Sequence, residues 1–157
     1  MKEKSKKQTT KKGTPSASKA SLTRIRHSLF EAAKKAQKNS YSPYSHARIG
    51  AAILDSNGQI FNGCNVENAS YGGTICAERT AILKAISEGA RMPITHVLVV
   101  SSTEEAWPPC GLCRQVLSEF ASADALVFVA NDRQVVQEIR FQDLMPFAFS
   151  PSFLIKS

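Results

Sequence analysis

Apolar residues recur along this chain at two spacings, which sort it into helices and strands. Leu22, Ile25, Leu29, Ala33 and Ala36 fall at helical intervals behind Ser21, a candidate N-cap, with Lys34, Lys35 and Lys38 near the end. The pattern predicts an amphipathic helix covering one face of a sheet. Residues 39–45 (NSYSPYS) are turn formers and predict a loop. Residues 49–54 and 59–64 are short apolar runs around Asp55-Ser56-Asn57-Gly58, and Asn-Gly between such runs predicts a hairpin. Residues 65–74, polar and carrying Gly72-Gly73, predict a loop. Helical spacing returns over 75–90 through Ala81, Ile82, Ala85 and Ile86, with Gly89 as the expected stop.

Residues 95–101 (THVLVVS) and 126–130 are near-continuous apolar runs, suited to strands buried on both faces. Between them Pro108-Pro109 ends a loop, and a second helix is expected to open at Cys110 and run through Val116, Leu117 and Phe120. Residues 135–139 fit a short strand. Residues 142–145 fit a helical turn ahead of an apolar end with Phe147, Phe149 and Phe153. The order α-β-β-α-β-α-β implies one α/β domain, its sheet layered with helices and opening on a hairpin.

Composition agrees with a small globular enzyme. A chain of 157 residues, 43% apolar, suits one domain with its own core. No apolar run approaches the ~18 residues of a membrane span. The N-terminal charges are not followed by the apolar stretch of a secretory signal, so no membrane partner and a cytoplasmic location are expected. The formal charge of +7 is uneven: residues 1–20 carry seven lysines and one glutamate. With no aromatic or large aliphatic residue after Met1, that stretch is expected to be a disordered basic tail, leaving 21–157 as the domain. A basic tail either aids solubility or touches nucleic acid. Without interleaved aromatics for base stacking the solvated reading is favoured, and nucleic acid is not an expected partner.

The cysteines change the picture most. Of four, Cys76, Cys110 and Cys113 stand at metal-ligand spacing, whereas Cys64 ends an apolar run as a buried thiol would. A domain this size does not need disulfides, so metal is preferred to staples. Structural zinc sites close with four protein ligands, whereas catalytic ones keep a position for water. Three thiolates with Glu78 two residues after Cys76 therefore suggest Zn²⁺, an activated water and a carboxylate to move its protons. Glu78 alone would read as a helix N-terminal acid stabilised by the dipole; beside Cys76 it reads as catalytic. Three thiolates on Zn²⁺ leave a formal −1 charge that opposes ionisation of water. Arg79, one turn after Cys76, and Arg114, next to Cys113, are candidates to donate hydrogen bonds to the sulfurs. His27 and His96 read as structural.

Pro43-Tyr44-Ser45 with Gly50-Ala51-Ala52, Gly63 to Ala69 (GCNVENA), Cys76 to Ala81 (CAERTA) and Pro109 to Gln115 (PCGLCRQ) together resemble the short, homotetrameric zinc-dependent cytidine deaminases over residues 25–153. The resemblance implies an α-β-α layered fold with a central mixed sheet of about five strands. It implies deamination of cytidine and 2′-deoxycytidine in pyrimidine salvage. It also implies that Asn65 and Glu67 hold the ribose hydroxyls, that the Ala77 backbone and Glu78 read the pyrimidine edge, and that subunits share active sites. A C-terminal Phe contributes to base stacking in that family, and Phe149 resembles it; core packing is the competing reading. One position departs: the family commonly carries Phe two residues after Pro-Tyr-Ser, where this chain has Ala47 after His46. Loss of an aromatic platform removes about 1 kcal/mol of stacking and opens space over the ring.

Three alternatives remain at this level. The first is a deaminase of the same fold acting on a bulkier aminated nucleoside, such as a 5-substituted cytidine or a blasticidin-type antibiotic, which Ala47 keeps open. The second is a polynucleotide editor tethered by the basic tail, although editing enzymes more often use His as first ligand. The third is a non-enzymatic zinc module in which Cys64 completes a four-cysteine site, leaving no place for water.

Overall fold

The computed structural model describes residues 19–154. The basic tail expected over 1–20 lies outside the described residues, apart from Lys19 and Ala20. These two open helix α1 (Lys19–Gln37), so Ser21 sits inside the helix and not at its N-cap. The other strands and α-helices are β1 (Ile49–Leu54), β2 (Ile60–Cys64), α2 (Ala77–Ser87), β3 (Ile94–Ser101), α3 (Gly111–Phe120), β4 (Ala121–Asn131), β5 (Val135–Arg140) and α4 (Phe141–Leu144), with short 3-10 turns at Tyr71–Gly73 and Pro151–Phe153.

The strands form one mixed sheet in the order β2-β1-β3-β4-β5. β1 pairs antiparallel with β2 and β3, β3 pairs parallel with β4 through the α3 crossover, and β5 returns antiparallel to β4. Gly58 at φ 83° supplies the left-handed turn of the β1–β2 hairpin. Asp55 anchors that turn by accepting the backbone N–H groups of Asn57 (2.9 Å), Gln59 (2.8 Å) and Arg91 (3.0 Å).

Alternation along the strands divides the core into two faces, as the period of two requires. Ala52, Leu54, Leu98, Val100, Phe128 and Ala130 meet Leu29 and Ala33 of α1. Ala51, Ile53, Val97, Val99 and Val127 meet Ala77, Ala81, Ile82 and Ala85 of α2 and Leu117 of α3. The result is the three-layer α/β/α arrangement with five strands. α2 sits against β2 so closely that a Cβ on Gly63 would lie 2.5 Å from Ala81 N and 2.9 Å from Ala77 O. Gly63→Ala is therefore expected to cost about 1–3 kcal/mol, read as a lower urea midpoint at unchanged slope.

β4 is longer at its N-terminal end than the apolar run 126–130, because Ala121 pairs with Ile94 across a register shift. β5 and α4 fall within a residue of their expected places. Among the described residues no helix is long and apolar enough to cross a membrane.

Candidate active site

Two helix starts and two loops build the site. Cys76 is the N-cap residue of α2 and Cys110 that of α3, each extended, with no side-chain cap of its own. Both helices begin at the same end of the sheet, because each follows a strand or loop leaving that end. Cys113 lies within the first turn of α3 and is completely buried. The three Sγ atoms lie within 4.8 Å of one another, and those of Cys76 and Cys110 are 3.8 Å apart. Sulfurs bonded to zinc at about 2.3 Å in a tetrahedron stand roughly 3.8 Å from each other, so the cluster fits Zn²⁺. All four cysteines are free, and Cys64 stands outside the cluster. A closed four-cysteine site is thus not formed.

The thiols divide their charge unequally. Hydrogen bonding from Cys113, with further support from Arg79 and Cys110, lowers Cys76 to about 5. Cys113 is pushed far up by its bond to the Cys76 sulfur, by burial and by the Glu78 carboxylate. Three adjacent thiols do not ionise together unless a cation joins them, which is the chemistry of a metal-ligand set.

Glu78 occupies the first turn of α2 and is buried. Burial raises its carboxyl to about 7, partly offset by its own backbone N–H and reinforced by the Cys76 charge. Arg79 turns back along the helix: one Nη2 contact reaches Thr74 O at 2.7 Å and another reaches Cys76 Sγ at 3.8 Å. Its Nε is buried and unpaired. Arg114 departs from expectation. Its Nε donates to Pro109 O (2.7 Å) and its Nη1 to Leu144 O (2.9 Å), so it braces the loop before α3 against α4. The reason is geometric: Arg114 follows Cys113, and successive helical residues face different ways.

Cys76, Cys110 and Glu78 line a cavity of about 320 Å³, with Cys113 buried behind them. Asn65, Glu67, Ala77 and Ala47 line it. Asn65 is buried and ties the start of β1, accepting from Ile49 N–H (2.9 Å) and donating to Ala47 O (2.9 Å). Glu67 receives the Ser45 hydroxyl and the Tyr44 N–H (2.9 Å), and the Ser45 hydroxyl first among these holds its carboxyl below the usual range. Both residues thus fix the loop over 40–48 as well as facing the cavity.

Phe149 does not line this cavity. It is 54% exposed and stacks on Phe153 at 5.5 Å, so it is not a core residue either. His96 packs on Phe128, burial lowering its pKa, while His27 and His46 are exposed. Of the lining residues that the sequence did not point to, Trp107 alone is aromatic. It sits in an aperiodic loop, and its position directly before Pro108-Pro109-Cys110 was the one available signal.

Comparison with known proteins agrees with this geometry. The family described as "Cytidine and deoxycytidylate deaminase zinc-binding region" matches residues 23–130, which include all three clustered cysteines. A cytidine deaminase of Halalkalibacterium halodurans is 46% identical over 125 residues, covering 80% of this chain and 94% of its own. One from Sporosarcina psychrophila is 43% identical over 122 residues, covering 78% and 89%. The crystal structure of cytidine deaminase from Burkholderia pseudomallei superposes with a TM-score of 0.73 at 43% identity, covering 78% of this chain and 98% of that one. Three thiols, a buried acid beside them and near-complete alignment to these relatives place the chain in the cytidine deaminase family, in its short form.

Proposed function

We propose that this enzyme hydrolytically deaminates cytidine and 2′-deoxycytidine to uridine and 2′-deoxyuridine, releasing ammonia, in pyrimidine salvage. The observation that carries the reading is that buried Glu78 lines the same cavity as Cys76 and Cys110 of the three-cysteine cluster. Zn²⁺ held by those three thiolates supplies Lewis-acid activation of water. Glu78 takes a proton from the attacking water and delivers it to ring nitrogen N3 as the C4–O bond forms. It then moves the remaining hydroxyl proton to the amino group, the C4–N bond breaks, and ammonia leaves with a C4 carbonyl behind it. A carboxyl poised near 7 both accepts and gives up protons at neutral pH. Arg79, its guanidinium against Cys76 Sγ, offsets the sulfur charge.

Asn65 and Glu67, on the wall of the cavity, are the groups assigned to the ribose hydroxyls, and the Ala77 backbone with Glu78 to the pyrimidine edge. Phe149 is assigned to the cavity of a neighbouring subunit in a homotetramer. Its exposure, together with that of Phe147, Phe153 and Leu154, supports this role.

Ala47 favours a second reading, in which a 5-substituted or bulkier base is accepted, because its short side chain faces the cavity. A substrate panel assayed for ammonia release separates the two. Cytidine and deoxycytidine are expected to react, while adenosine and cytosine do not. An inert cytidine beside a reactive 5-methylcytidine would replace the first reading with the second.

A further inference from the structure

A planar base needs a flat partner, and this cavity offers one. Trp107 is the single aromatic side chain among its lining residues and the single tryptophan of the chain. It is 45% exposed and belongs to neither core cluster, so it contributes little to packing as it stands. Its indole N–H has no hydrogen-bond partner among the described residues. Yet its loop is held firmly on both sides. Glu105 O accepts from Ser101 Oγ (3.1 Å) and Thr103 Oγ1 (2.6 Å), and Glu104 O accepts from Asn131 Nδ2 (3.1 Å). On the other side two prolines fix the backbone, and Pro109 O accepts from Arg114 Nε. A half-bare indole on a braced loop at a cavity wall is ordered before anything covers it, and the ordering cost of binding falls accordingly.

We infer that Trp107 is a further base-contacting, specificity-determining residue of this cavity: its indole face covers the pyrimidine that the small Ala47 leaves uncovered. The role rests on the deamination reading. It makes affinity depend on an aromatic plate carried by the loop before α3, and it leaves the space beside Ala47 for a substituent on the base.

The sole tryptophan gives a direct readout. In the zinc-loaded enzyme, acrylamide is expected to quench Trp107 fluorescence, and saturating uridine to protect it. Trp107→Ala is expected to raise KM for cytidine about tenfold with kcat within about twofold, at an unchanged melting temperature. Trp107→Phe, which keeps a ring, is expected to stay close to wild type, whereas Trp107→Leu resembles the alanine variant. Quenching that uridine does not alter, an unchanged KM in Trp107→Ala, or full rescue by leucine overturns the role. Wild-type ammonia release from cytidine is measured first. Its absence sinks the deamination reading and this role together, whereas normal release with an unchanged Trp107→Ala KM sinks the role alone.

Discussion

Replacing Glu78 with glutamine is expected to lower cytidine turnover at least ~10²-fold, with the protein still folded and still holding zinc. Glutamine has nearly the same shape, so the first turn of α2 and the packing around it stay intact. What it lacks is the titration: an amide neither takes the water proton nor returns one to N3. Metal retention follows because the sulfurs, not this carboxyl, form the ligand cluster. Burial is what sets the Glu78 carboxyl near neutrality, so the loss should fall on kcat more than on KM. Metal analysis, circular dichroism and steady-state kinetics on one preparation check all three statements. Near-normal turnover would remove Glu78 from the chemistry.

Cys110→Ala is expected to cost the metal itself. Cys110 is exposed whereas Cys113 is completely buried, so alanine at 110 removes a thiolate with little loss of packing. A two-sulfur site binds zinc far more weakly, and an ion that binds only the folded chain stabilises it by about 2.7 kcal/mol at a hundredfold excess over Kd. Losing that coupling should lower the melting temperature by on the order of 10 °C. Activity should fall with the zinc content. Chelator treatment of the wild type should give the same melting temperature, and added zinc should restore the wild type alone. A stable, active Cys110→Ala protein would show that the cluster is not the metal site.

Much of this was legible in residues that are neighbours in sequence. The hairpin was legible because Asn57-Gly58 meets a local turn requirement, and α2 because its apolar spacing and Gly89 stop are local as well. Glu78 was legible through its two-residue distance from Cys76. What escaped depends on partners far along the chain. Arg114 finds Leu144 O thirty positions away, which no spacing rule foresees. Residues 121–125 carry no strand pattern, and β4 reaches back to Ala121 through its pairing with Ile94, 27 positions earlier. Trp107 reaches the cavity through the folding of a loop without periodicity. Helix α1 begins before Ser21 because an N-cap preference is weak against a continuing helix.

The central claim is that three protein sulfurs hold one zinc and leave its remaining position to solvent. X-ray absorption at the zinc edge of the purified protein addresses it directly. The account predicts one zinc per chain, bound by three sulfurs and a single lighter atom. Four sulfurs around the ion, or protein purified without any metal, would contradict it.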